Sequence, residues 1–193
     1  MPNRIKADSA SGLHLISDSS DEIQIQSGTD TVAIVNSSGI TMGSGKNFVE
    51  TNAPAFHAYT STTTTLNAGV ATKAIFNNVE FDTTSDFDTS LYRFTPSVAG
   101  YYQFNSSTYI NSGVADGSQI SIRVKKNGTT DYYGSLFNTS GTDYPAPTIS
   151  ILLYANGSTD YFEIYVRQGS GASETITSTG ALSWFTGHLV RAV

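Results

Sequence analysis

Three histidines, His14, His57 and His188, are the only imidazoles in a 193-residue chain that has no cysteine. Zinc-type centres draw on His and Cys at short fixed spacings. None of the three shares such a spacing with another His or with a carboxylate motif. Without cysteine there is no disulfide framework and no thiolate chemistry. Gly43-Ser44-Gly45-Lys46 has part of a phosphate loop, but Ile40 stands where the first glycine belongs and Asn47 replaces the Ser/Thr that would meet magnesium. No Gly-x-Ser-x-Gly elbow is present, and no Ser/His/Asp grouping has a supporting context. The expectation is a protein that is not an enzyme and needs no cofactor. Asp82, Asp86 and Asp88 in the stretch DTTSDFD are the carboxylates a hard cation would choose, but their spacing is not that of an EF-hand and a solvated loop explains them. Tyr132, Tyr133 and Trp184 are aromatics of the kind that stack on ligands, although Trp184 equally suits the core at the start of a last strand.

The elements that would carry these residues are strands. Thr, Ser, Gly, Tyr, Phe, Val and Ile are abundant, and charged residues are only 13% of the chain. No window sustains a 3.6-residue apolar repeat. The net charge of −6 argues against nucleic acid, which needs a basic face. No apolar run is long enough for a membrane span, and the start MPNRIKADSASG lacks the apolar region of a signal peptide.

Composition changes near residue 53. Residues 1–53 hold one aromatic, Phe48, and all the others lie in 54–193. The first segment has instead a rhythm of apolar-x-apolar pairs, Leu13 and Leu15, Ile23 and Ile25, Val32 and Ile34, Ile40 and Met42, separated by the turn-formers SDSSDE, SGTD and NSSG. Each pair reads as a very short strand with one apolar face. Such strands bury too little to stand alone, so the pairs are expected to form a dry seam against copies from other chains, in a short β-rich shaft or attachment segment.

Residues 54–193 read as about 8–10 antiparallel strands joined by Gly/Asn/Ser turns: 54–59, 73–81, 91–94, 100–110, 118–127, 147–155, 160–168 and 182–190. The spacing indicates a β-sandwich or jelly roll. Asn127-Gly128 and Asn156-Gly157 carry the pair typical of tight hairpins. Ile120, Ile122 and Val124 alternate with Gln119, Ser121, Arg123 and Lys125, which predicts core on one side and water on the other. Two strands break that rule. Leu152 and Tyr154 lie opposite Ile149, Ile151 and Leu153. Tyr161 and Tyr165 lie opposite Phe162, Ile164 and Val166. A second apolar face needs a second partner, which makes these four a candidate interface between copies of the chain.

One set of intervals is more particular. From Phe76, Asp82 follows six residues on, Phe87 five further, Phe94 seven further and Gly100 six further, and then come Tyr102 and Phe104. This spacing resembles the signature of the globular head of the complement component 1q family, a jelly roll of the tumour-necrosis-factor type. A last aromatic expected two residues later is replaced by Ser106. PAFHA at 54–58 and SWFTGHLV at 183–190 look like the family's opening and closing strands, so the resemblance covers about 54–192. It implies an all-β jelly-roll head, with the signature residues as core, in a tight homotrimer. It also keeps calcium open at Asp82, Asp86 and Asp88, since some heads of the family bind it.

In the family such a head sits on a trimeric stalk. Here there is no Gly-X-Y period, and the short β pairs look instead like the shafts of bacteriophage fibres. The expectation is a homotrimeric virion-surface protein. Residues 1–53 would join other virion proteins, and the head, 54–193, would meet a host-surface glycan or protein. Capsid decoration, and a secreted lectin-like module, are the competing readings.

Overall fold

In the computed structural model, residues 23–27, 29–46 and 53–193 are described, and among them there is no helix. They divide into two units at the boundary between Thr51 and Asn52.

The first unit is an antiparallel meander of β1 (Ile23–Ser27), β2 (Asp30–Asn36) and β3 (Gly39–Met42). Its register corrects the expected seam. Ile23 faces Val35, Ile25 faces Ala33, and these in turn pair with Ile40 and Met42. One face therefore carries Ile23, Ile25, Ala33, Val35, Ile40 and Met42. Ile34 lies on the other face, opposite Gln24 and Thr41, and Val32 is the extra residue where the β1–β2 register shifts. Residues 32–35 are a continuous apolar run, Val-Ala-Ile-Val, which alternation alone cannot phase, and pairing with the neighbours selects Ala33 and Val35. Leu13 and Leu15 lie outside the described residues.

The second unit is built from thirteen strands in chain order: β4 (Ala55–Tyr59), β5 (Thr64–Leu66), β6 (Thr72–Lys73), β7 (Asn78–Asp82), β8 (Phe87–Asp88), β9 (Arg93–Phe94), β10 (Ala99–Ser107), β11 (Gln119–Lys126), β12 (Thr130–Asn138), β13 (Thr148–Asn156), β14 (Phe162–Gln168), β15 (Glu174–Ile176) and β16 (Trp184–Ala192). One sheet has the order β13-β10-β16-β4-β7. The second runs β12-β11-β14-β9-β8, with β6 also on β14. β5 and β15 pair separately. Apart from the consecutive pairs β11–β12 and β8–β9, neighbours within each sheet are distant in sequence, as in a jelly roll. The core lies between the two sheets. Phe56, Phe76, Phe94, Tyr102, Phe104, Phe162 and Phe185 fill it, each at most 1% exposed. Phe104 is its hub, with ring centroids at 4.5 Å from Phe162, 5.8 Å from Phe185 and 6.0 Å from Phe94 and Tyr102.

Of four sequence expectations, three change in detail and one holds. The run 73–81 is not one strand: β6 pairs with β14 in one sheet and β7 with β4 in the other, so the chain crosses the sandwich between them, burying Ala74 and Phe76. Asn127-Gly128 does close a tight β11–β12 turn, both residues having positive φ, 54° and 69°. Asn156-Gly157 does not make a hairpin, because β13 and β14 belong to different sheets. There the Asn156 side-chain oxygen accepts from the amides of Ser158, Thr159 and Asp160, and a Cβ on Gly157 would stand 2.3 Å from the Ala99 nitrogen. Lastly, the outward side of β11 is not open to water: Ser121 and Arg123 are 2% and 7% exposed.

Candidate functional site

The outer face of the five-stranded sheet is the part of the head whose apolar groups lack cover. Tyr101 on β10 faces Tyr154 on β13 in register, and their rings meet edge-on at 5.8 Å. Leu152 faces Gln103 one repeat along. These strands have to present this face, since Tyr102, Phe104 and Leu153 occupy the alternate positions and point into the core. Tyr101, Leu152 and Tyr154 are 42%, 51% and 44% exposed. Lys126 reaches round the sheet edge, donating from Nζ to the Tyr154 carbonyl at 2.8 Å and pairing with Asp160 at 2.8 Å. On the other half of the face His57 stacks on Trp184, centroids 6.0 Å apart, and stands 3.8 Å from Glu80. A shallow recess there is lined by His57, Tyr59, Glu80, Gly180 and Ala181. Trp184 is thus a half-buried residue of the outer face, and its neighbour Phe185 is the core residue.

A second apolar surface lies at the edge where β12 and β13 adjoin. Ser135 Oγ donates to the Thr148 carbonyl at 2.9 Å, and a Cβ on Gly134 would lie 2.5 Å from Ile149 Cβ, so the two sheets close together here. Leu136 and Tyr144 are more than half exposed on this edge.

Tyr161 and Tyr165 are not brought to Leu152 and Tyr154. They sit on the outer face of the six-stranded sheet, which separates the four residues expected at one interface. Arg93 lies over the Tyr161 ring at 4.5 Å and Lys125 over the Tyr165 ring at 5.1 Å. Beside them Asp131 accepts from Arg123 and pairs with Lys125, each at 2.8 Å. Burial alone would raise the Asp131 pKa, but the hydrogen bonds from Lys125 and Arg123 outweigh it and hold the carboxyl below its ordinary value. Lys73 pairs with the buried Glu163 at 2.6 Å.

The signature residues have distinct places. Phe76, Phe87, Phe94, Tyr102 and Phe104 are buried in the core. Asp82 accepts from the Phe87 amide at 2.7 Å and fixes the turn before it. Gly100 is required for space: a Cβ would stand 2.4 Å from the Arg191 carbonyl. At the departing position, the buried Ser106 hydroxyl donates to the Trp184 carbonyl at 2.7 Å. The carboxylates of DTTSDFD are each taken up by nearby backbone and hydroxyl donors. Asp86 accepts from Thr84 and Ser97, and Asp88 from Ser90 and Leu91. Among the described residues no group of three or more acidic or imidazole side chains gathers at one point. His57 and His188 are on separate strands, and His14 lies outside the described residues.

A family model described as the C1q domain matches residues 55–190. Among solved structures, the globular domain of the zebrafish complement 1qA protein is 16% identical, with a TM-score of 0.50, covering 72% of this chain and 99% of that one. Murine APRIL at pH 5.0 is 8% identical with a TM-score of 0.55, again covering 72% and 99%. Eiger TNF from S. frugiperda is 10% identical with a TM-score of 0.50, covering 73% and 93%. At such identities the likeness is one of fold. No curated protein matches the chain.

Proposed function

Since the chain belongs to the C1q domain family, we propose that it is a non-catalytic binding head that assembles with two further copies of itself and is displayed on the surface of a bacteriophage virion. The observation that carries the self-association is the uncovered patch of Tyr101, Leu152 and Tyr154. Single exposed apolar residues are ordinary, but a contiguous patch on a sheet face marks an interface. The β12–β13 edge, with Leu136 and Tyr144, is a second and unlike apolar surface. Two unlike surfaces on one protomer mate head to tail and close into a ring rather than a two-fold pair. The family resemblance sets that ring at three.

Display on a virion is supported by the first segment. It is rich in Ser and Asp, has a single aromatic, and carries short β pairs in place of a globular core. In this reading residues 1–53 join other virion proteins, and residues 54–193 meet a host-surface glycan or protein. Light scattering on the full chain at micromolar concentration tests the assembly. The expected mass is three times the 20.6 kDa protomer. A monomer refutes the reading. Labelling of intact phage particles with antibody against residues 54–193 tests the location, and unlabelled particles refute it.

A further inference from the structure

The head has few cations, and they are gathered in one place. Of the seven Lys and Arg residues in 54–193, six lie on β6, β9, β11 and β14, and Arg191 alone lies in the other sheet. Five of the six, Lys73, Arg93, Arg123, Lys125 and Arg167, share the outer face of the six-stranded sheet. Strand register sets part of this face as an alternating row. Tyr133 faces Arg123, Arg123 faces Tyr165, and Tyr165 faces Lys73. Strands stand ~4.8 Å apart, so the two tyrosines are separated by about 10 Å, comparable with one disaccharide along a glycan chain. Tyr133, at 54% exposure, is the most open ring of the row.

The charges on this face do not cancel. Asp131 and Glu163 are shared among Arg123, Lys125 and Lys73. Asp88 is in register with Arg93, but its carboxylate is held by Ser90 and Leu91. Among the described residues neither Arg93 nor Arg167 has a carboxylate at ion-pair distance. Arg93 Nε is buried with no hydrogen-bond partner, and its guanidinium is instead held flat on Tyr161 at 4.5 Å. Arg167 is propped by the Gly69 carbonyl and Gln119. A local positive excess on a chain of net charge −6, set among tyrosines, complements a ligand that combines sparse negative charge with ring faces.

We propose that this face binds acidic polysaccharide. Arg93 and Arg167 would take the carboxylate or sulfate groups as planar forks, and Tyr133 would pack against a pyranose face. Nucleic acid fits less well, because its dense phosphates meet an acidic protein whose patch has only a small positive excess. The inference names a ligand class for the binding head and rests on that reading. Its two arginines, Arg93 on β9 and Arg167 on β14, lie away from both proposed mating surfaces, Tyr101 with Leu152 and the β12–β13 edge.

The test is titration of the full chain with polygalacturonate and with dextran sulfate, using neutral dextran, single-stranded DNA and anionic phospholipid vesicles as comparisons. Binding to either acidic glycan is expected, weakening as salt rises. The double variant Arg93→Gln with Arg167→Gln is expected to weaken it about tenfold or more, Tyr133→Ala to weaken it, and Arg191→Gln to leave it unchanged, each with the far-ultraviolet spectrum of wild type. Absence of binding to both glycans, equal loss with Arg191→Gln, or tighter binding to DNA or vesicles overturns the proposal. Light scattering on the same samples separates the two readings: a trimer that binds no acidic glycan removes the ligand alone, and a monomer that binds one removes the assembly alone.

Discussion

Tyr102 donates its hydroxyl to the carbonyl of Val98 at 2.8 Å while its ring is wholly buried. The bond ties the start of β10 back to the turn after Pro96. The ring packs edge-on against Phe94 at 5.7 Å. Polar tip and apolar body are therefore satisfied at once, which is what a buried tyrosine requires. Tyr102→Phe keeps the ring and strands the carbonyl. The expected cost is about 1 kcal/mol, read as a fall in denaturant midpoint with an unchanged slope.

The same burial gives a pH dependence. Desolvation, reinforced by the Asp86 carboxylate, pushes the Tyr102 phenol up to about 12 from 10.0. Above pH 10 the unfolded chain releases this proton while the folded chain retains it. Stability associated with the neutral phenol is thus complete below pH 10 and falls by about 1.4 kcal/mol per pH unit until about pH 12. Denaturant melts of wild type and Tyr102→Phe between pH 9 and pH 11.5 should converge as pH rises and cross between about pH 10 and 11, the variant being the more stable above that. Parallel curves would show that the phenol titrates normally.

Gly187 and Phe104 show how little slack the core has. A Cβ on Gly187 would stand 2.7 Å from both Phe104 Cδ1 and Phe56 Cε1. Gly187→Ala should cost about 1–3 kcal/mol by overpacking, and Phe104→Ala about 3–5 kcal/mol by leaving a cavity at the hub. Thermal melts would show the second variant lower by about 10 °C or more. A shift of a degree or less for Phe104→Ala would remove Phe104 from the core.

How much of this was legible follows from which interactions are local. The intervals from Phe76 to Phe104 name core aromatics because a strand's two-residue period and the turn lengths between strands are written in sequence. The Asn127-Gly128 turn should also have implied a following strand. β12 was missed because TDYYGSLFN mixes polar, aromatic and glycine residues and does not alternate in hydrophobicity. β5, β8 and β15 are only two or three residues long and exist through their partners. The split of residues 73–81 between two sheets is a tertiary decision, as is the choice of Ala33 and Val35 over Val32 and Ile34. The cation-rich face was invisible because β6, β9, β11, β12 and β14 come together only after folding. In sequence Lys73 and Glu163 are 90 residues apart.

Acid should act through two carboxylates. At Asp160 burial opposes ionisation, but hydrogen bonds from Asn127, Lys126 and the Asn156 amide prevail, so the pKa is lowered from 3.8. Asp131 is lowered in the same way. A depressed folded pKa gives stability that is present above about pH 4 and lost as pH falls through the folded values. Asp160→Asn and Asp131→Asn should therefore be destabilised at pH 7 and draw closer to wild type at acid pH, once the medium is well below the ordinary carboxylate range. Urea melts at the two pH values measure this. A variant equally destabilised at both would show that its carboxylate acts through shape and not charge.

Leu152 provides the sharpest separation of fold from assembly. It is half exposed, makes no part of the core, and lies beside Tyr154 on a face with no cover in the protomer. Leu152→Asp places a charge where an apolar contact would close. In a monomer this change is worth ~0.5 kcal/mol or less, as for other surface substitutions. In an assembled ring each protomer contributes one such position, and an unpaired buried carboxylate costs several kcal/mol. The expected result is a folded monomer by light scattering with the far-ultraviolet spectrum of wild type. Arg167→Gln, on β14 of the other sheet and away from the β12–β13 edge, should leave the mass unchanged. A Leu152→Asp protein that retains the wild-type mass would take this face out of the interface.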